Sequence, residues 1–222
     1  MKTTAVIPVK RLDAANERLQ NALAPEERRT LAEAMLFDTL SKLRRCKVLD
    51  ELLVVTSDPY VVRHAGWMGH DVLRQSDDTG HSAAAQAGAA AAQSNGADRV
   101  AMLPVDCPLL DPEELDRHLG RTPQAALIVP DRQGTGTNAL VLSPPDLFAP
   151  AFGPDSCSRH IGRARACNAG FALEKIPSLA MDLDTPADMA RLRERLLLDP
   201  EPAPRTATIL WELGPGAKTA VA

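Results

Sequence analysis

Short apolar runs alternate with longer stretches whose apolar positions recur every three or four residues, and this alternation holds over most of the chain. Thr3 to Val9 is a β-branched apolar run, the signature of a buried strand. Pro25 follows as the first residue of a helix, where a missing N–H costs nothing. Leu31, Met35, Leu36, Leu40 and Leu43 then give that helix one apolar face. Leu52 to Val55 predicts a second strand running into a helix start at Thr56-Ser57-Asp58-Pro59, and Asp71 to Leu73 a brief third. Ser82 to Ser94 is an alanine-dense helix whose small side chains suit close packing on a sheet. Val100 to Val105 predicts a strand ending at Asp106, Pro112 to Leu119 a short helix, and Ala126 to Val129, Asn138 to Leu142 and Phe171 to Ile176 further strands. Thr185-Pro186-Ala187-Asp188 is a helix start, with threonine as cap and proline first in the helix. Strands that alternate with helices build βαβ units, so the expected fold is α/β with a mostly parallel sheet.

Past Leu198 the pattern changes. Pro200, Pro202 and Pro204 favour an extended segment, Thr206 to Leu213 reads as an edge strand, and Gly214-Pro215-Gly216 ends regular structure. The expected organisation is one domain over residues 1–198 and an appendage over 199–222, partly disordered or used for packing.

With 222 residues and 45% hydrophobic content the chain can bury a real core. A net charge of −4 argues against a dedicated nucleic-acid or membrane-surface protein, and 3% aromatics argues against base-stacking platforms. No apolar stretch approaches the roughly 20 residues of a membrane span, and the apolar run ending at Pro8 is too short for a secretory signal. Cys46, Cys107, Cys157 and Cys167 form no CxxC pair, which suits buried or incidental thiols in a reducing cytoplasm. The expected location is cytoplasmic.

Ligands of open α/β sheets bind at the carboxyl ends of strands. Three features fall there. Lys10, Arg11 and Arg18 follow the first strand and offer cations to phosphates, without the glycine pattern of a Walker A loop or a dinucleotide fingerprint. Asp106 ends a very apolar strand. Asp182-Leu183-Asp184 precedes the Thr185 helix, and in an extended segment its two carboxylates point the same way. Carboxylates beside phosphates are how Mg²⁺ is usually held. Two glycine-and-hydroxyl segments, Asp131 to Asn138 and Phe152 to Ser156, suit backbone donors closing on a phosphate or, equally, tight connections. The histidines show no mutual metal spacing, and neither a G-x-S-x-G elbow nor HExxH is present.

Taken in order, Pro8-Val9-Lys10, Asp106-Cys107-Pro108-Leu109-Leu110, Asp131-Arg132-x-Gly134-Thr135-Gly136-Thr137-Asn138-Ala139-Leu140, Phe152-Gly153-Pro154-x-Ser156 and Asp182-x-Asp184-Thr185-Pro186 resemble the guanylyltransferases of deazaflavin coenzyme F-420 biosynthesis. The resemblance covers about Met1 to Leu198. It implies a Rossmann-like three-layer sandwich of the nucleotide-diphospho-sugar transferase-like type. It also implies transfer of GMP from GTP to 2-phospho-L-lactate, phosphoenolpyruvate or 3-phosphoglycerate, with a downstream transferase that carries the deazaflavin precursor as partner. By position, Asp106, Asp182 and Asp184 would hold Mg²⁺, with Asp106 also among the catalytic residues. Thr137, Gly153 and Ser156 would touch the acceptor phosphate, and Lys10 would face the GTP phosphates, with Arg18 beside it. Two departures stand out: Asn16 occupies a place where the family commonly has lysine, and Gly80-His81-Ser82 stands where it usually reads Gly-Leu-Asn. The alternatives are a cytidylyltransferase of the same fold and a non-catalytic nucleotide-binding regulator.

Overall fold

The computed structural model describes residues 1–121 and 124–214. Among them a seven-stranded sheet is built from β1 (Thr3–Val9), β2 (Glu51–Thr56), β3 (Asp71–Arg74), β4 (Arg99–Met102), β5 (Ala126–Pro130), β6 (Thr137–Leu142) and β7 (Phe171–Leu173). Its order is β3-β2-β1-β4-β6-β5-β7. Every neighbouring pair is parallel except β4/β6 and β5/β6, so β6 alone of these strands runs against the rest. The order turns back between β1 and β4, and the carboxyl ends of these two strands open a crevice there.

Helices α1 (Pro25–Leu43), α2 (Pro59–Trp67) and α4 (Pro112–Arg121) cover one face of the sheet, and α3 (His81–Ser94) and α5 (Ser156–Ala166) cover the other. The strands divide their side chains between the two layers by their period of two: Ala5, Ile7 and Val9 of β1 pack with the α1 layer, while Val6 packs with α3. The alanines of α3 let it come very close to the sheet. A β-carbon on Gly88 would lie 2.4 Å from Val6 Cγ1 and 2.8 Å from Val55 Cγ2. Helices α6 (Pro186–Leu198) and α7 (Pro204–Glu212) form a third cluster beside α1, with Leu19, Leu31, Met35, Leu192 and Leu210 at its centre.

Three expectations need correction. Thr206 to Leu213 is helix α7 rather than an edge strand: Ala203, Ala207 and Leu210 recur at helical spacing and pack on α1, which outweighs the strand preference of the threonines and Ile209. The strand predicted to reach Val105 ends at Met102, because the chain there bends into the loop that carries Asp106. The strand from Phe171 stops at Leu173, where its pairing with β5 runs out. Helix α5 was not anticipated; its sequence carries four arginine and histidine side chains among few large apolar ones, which blurs the periodic signal. Helix α6 ends at Leu198, where the appendage was expected to begin; α7 beyond it is packed against α1, and residues 215–222 lie outside the described residues. No helix among the described residues is long and apolar enough to cross a membrane.

Candidate active site

The crevice is a pocket of about 640 Å³. Lys10, Arg18, Asp106, Thr137, Gly153, Ser156, Asp182 and Asp184, scattered over the chain, all line it. They arrive from four directions.

The loop after β1 forms the first wall. Asp58, buried at the start of α2, accepts from the N–H groups of Tyr60 (2.7 Å) and Val61 and also from Leu12 N–H (2.9 Å). One carboxylate thus caps a helix and pins the segment that follows Lys10. Lys10 pairs with no carboxylate among the described residues, which leaves its charge to the pocket. Arg11, counted with Lys10 and Arg18 from the sequence, turns instead to Asp13 at 2.8 Å and does not line the pocket.

The second wall carries the carboxylates. Asp106 sits in a loop held by α1, whose Lys42 Nζ donates to Pro108 O (2.6 Å) and whose Thr39 Oγ1 donates to Val105 O (3.3 Å). Burial holds the Lys42 ammonium below its ordinary range. Leu183 N–H donates to Asp106 O (3.0 Å), which draws the 182–184 segment onto this loop. Cys107 Sγ and Asn138 Nδ2 both donate to Leu179 O and hold the segment from its other side. The gathered charge has a cost. Asp106 is pushed up to about 7, first by burial and then by repulsion from Asp184 and Asp182, and burial also raises Asp182. Arg18 Nη1 meets Asp184 Oδ2 at 2.7 Å, an exposed pair that a ligand can open at little cost. The cap of α6 is Thr185, in a reciprocal box with Asp188, so Asp184 is not needed for capping.

The third wall is the turn between β5 and β6. Asp131 Oδ1 accepts Thr135 N–H (2.9 Å), and the Asp131 and Gly136 backbones close the turn. A β-carbon at Gly136 would lie 2.6 Å from Asp131 Oδ2, so a side chain there would push the carboxylate that holds Thr135 N–H. Thr137 follows as the first residue of β6, with His160 Nδ1 behind its hydroxyl at 3.0 Å.

The start of α5 is the fourth wall. Gly153 to Ser156 line the pocket, and Cys157 N–H donates to Thr135 O (3.0 Å), locking this helix start to the third wall. Asp155 provides no side-chain cap, so the positive end of the helix dipole stays available to an anion. His81 opens α3 at the same rim, edge-on to Phe152 with ring centroids 4.7 Å apart. Loss of hydration around the ring and the charge of Lys10 hold His81 below the ordinary imidazole range, although the residue is exposed at the rim.

Among the described residues no three histidine, cysteine or acidic side chains are grouped closely enough to hold a metal unaided. The sequence pattern does not show the roles of Lys42, Thr39 and His160, nor the hold of Asp58 on Leu12. They act through side chains that meet the site only after folding, and Asn138 was visible only as one letter of a motif.

A sheet switch point that brings cations, carboxylates and an uncapped helix start into one cleft suits a protein that handles phosphates, in a nucleotide-diphospho-sugar transferase-like fold. The same fold is seen in a solved structure from Desulfovibrio desulfuricans, described as a nucleotide-diphospho-sugar transferase, with a TM-score of 0.77 at 17% identity over 96% of this chain and 95% of that one. Residues 3–195 match the family described as "Guanylyl transferase CofC like", and the chain belongs to that family of guanylyltransferases. A phosphoenolpyruvate guanylyltransferase of Conexibacter woesei is 47% identical, covering 87% of this chain and 88% of its own. A 2-phospho-L-lactate guanylyltransferase of Methanothermobacter thermautotrophicus is 31% identical, covering 86% and 84%.

Proposed function

We propose that this enzyme transfers the guanylyl group of GTP to the phosphate of phosphoenolpyruvate, within coenzyme F-420 biosynthesis, with 2-phospho-L-lactate and 3-phosphoglycerate as the competing acceptors. The observation that carries the reading is that Lys10, the three carboxylates and the Thr137, Gly153 and Ser156 wall line one pocket. Two polyanions would lie end to end there, and the 47% identical relative supports phosphoenolpyruvate as the acceptor.

In the reaction an acceptor phosphate oxygen forms a bond to the α-phosphorus of GTP. The bond from that phosphorus to the β-bridging oxygen breaks, and its electron pair leaves with pyrophosphate. A phosphate monoester has a second pKa of about 6 and is already an anion at neutral pH, so no side chain has to remove a proton. What the protein must do is align the reactants and offset their charge. Lys10 would meet the nucleotide phosphates, with Arg18 released from Asp184 to join it. The Thr137 hydroxyl and the start of α5 would receive the acceptor phosphate.

The donor set suits Mg²⁺: hard carboxylate oxygens, with Asp106 displaced upward by burial and by repulsion from Asp184 and Asp182. Asp106, Asp182 and Asp184 would supply one or two ligands, the phosphates and water the rest. When bound, the ion neutralises charge between the two phosphate groups. The product is a diphosphate for a downstream transferase that carries the deazaflavin precursor.

The test is pyrophosphate release by the purified enzyme with Mg²⁺, with GTP, CTP, ATP and UTP each crossed with the three acceptors. Release with GTP and phosphoenolpyruvate, abolished by chelator, is expected. Preference for CTP, or silence in every combination from folded protein, overturns the reading.

A further inference from the structure

Behind Thr137 lies a histidine that the reaction as written does not use. His160 is wholly buried, on the face of α5 turned toward β6, with Phe148 and Phe152 packed about its ring. Both ring nitrogens are engaged. Ala151 N–H donates to Nε2 at 2.8 Å, and Nδ1 lies 3.0 Å from Thr137 Oγ1.

The first bond decides the second. A backbone N–H is only a donor, so Nε2 must present its lone pair and cannot carry the proton. In the neutral ring that proton is therefore on Nδ1, which donates to Thr137 Oγ1. The hydroxyl, having accepted that bond, keeps its own proton to give elsewhere. Thr137 lines the pocket, and that is where the proton can be used. Burial together with Arg163 and Arg159 keeps the ring neutral, pulling His160 down to about 4, so the arrangement persists at physiological pH.

We propose that His160 is a positioning residue that keeps the Thr137 hydroxyl proton free for the pocket, so that this wall favours a proton-free phosphate oxygen on the acceptor. The proposal rests on the reading above for the side of the pocket that the acceptor occupies. A hydroxyl free to rotate would accept as readily as it donates. With Nδ1–H donating to one of its lone pairs, it cannot spend its proton on the ring and turns that proton toward the pocket, which favours an anion there.

Two measurements test this apart from turnover. Long-range ¹H–¹⁵N correlation on histidine-labelled protein, without ligand, is expected to show the His160 proton on Nδ1 and Nε2 bare; the opposite tautomer overturns the proposal. Calorimetric titration with inorganic phosphate and with phosphoenolpyruvate then compares variants. Thr137→Val and His160→Gln should each weaken binding by about tenfold to a hundredfold, the range for a hydrogen bond to a charged group. The double variant should bind no worse than the weaker single one. His160→Asn, whose amide N–H reaches the place of Nδ1, should retain affinity even where it loses stability, because it no longer accepts from Ala151. A purely structural histidine predicts the reverse, with Gln the better substitute. Wild-type affinity in His160→Gln alongside loss in Thr137→Val overturns the proposal, as does a wild-type protein that binds neither probe. If the tautomer and the coupled losses appear but wild-type protein releases no pyrophosphate, the transfer reading falls and the role of His160 stands.

Discussion

At the scale of single residues, the site holds charged and neutral groups each fixed by surroundings rather than by type. Asp184 and Asp182 repel Asp106, and Arg18 pairs with Asp184. Replacing Asp106, Asp182 or Asp184 by Asn relieves repulsion, so each variant should fold at least as stably as the wild type while losing about a hundredfold or more in kcat/KM. Circular dichroism and pyrophosphate release check the two halves; near-normal turnover in all three variants would remove these residues from the reaction. His160 makes a separate prediction about stability. Its folded pKa of about 4 lies below the ordinary value of 6.5. Between those values the unfolded chain binds the proton and the folded chain does not. Its contribution is therefore complete above about pH 6.5 and is lost as pH falls toward 4, by up to about 1.4 kcal/mol per pH unit. Denaturant titrations at pH 7 and pH 5 should show a smaller drop for His160→Gln than for the wild type. The spacing of Thr137, Gly153 and Ser156 was readable as a motif, but nothing in the sequence joins His160 to Thr137, because the bond crosses from a helix to a strand 23 residues away.

At the scale of elements, helices that begin with a recognisable cap and repeat their apolar positions every three or four residues declare themselves locally. Asp58-Pro59 and Thr185-Pro186 did so, and α2 and α6 begin there. Helix α3 was readable as a close-packing element from its small side chains alone, and Gly88 gives the physical content of that reading. Gly88→Ala should destabilise the fold by about 1–3 kcal/mol, although alanine is the better helix former, because the added methyl overlaps Val6 and Val55. A melting temperature equal to or above that of the wild type would show that α3 can lift from the sheet without loss. Helix α7 misled for the opposite reason. Its threonines and Ile209 carry strand preference, while the face that decides its form is visible only against α1.

At the scale of the whole molecule, α7 lies beyond residues 3–195, the stretch that matches the family, yet it is tied to α1. Buried Asp38 on α1 accepts from Thr206 N–H and Oγ1, both at 2.8 Å, and Arg205 lies over the Phe37 ring. The same cluster holds Leu19, next to Arg18, and Met35, which lines the pocket. Ending the chain at Asp199 should therefore lower the melting temperature and raise the KM for GTP. Thr206→Val, which leaves Asp38 short of a donor, should cost about 1–3 kcal/mol. Unchanged stability of the shortened chain would make α7 a mere attachment. The sequence alone determined the alternation of strands and helices, the α/β class and the segments that carry the chemistry, because caps, periodicity and strand-end motifs are read within a few neighbouring residues. The tertiary structure alone decided the reversal of β6, the helical form of α7, the turning of Arg11 away from the pocket, and the hold of Asp58, Lys42 and His160 on the walls. Each of these depends on partners far apart in the chain, and burial sets their energies only once those partners have met.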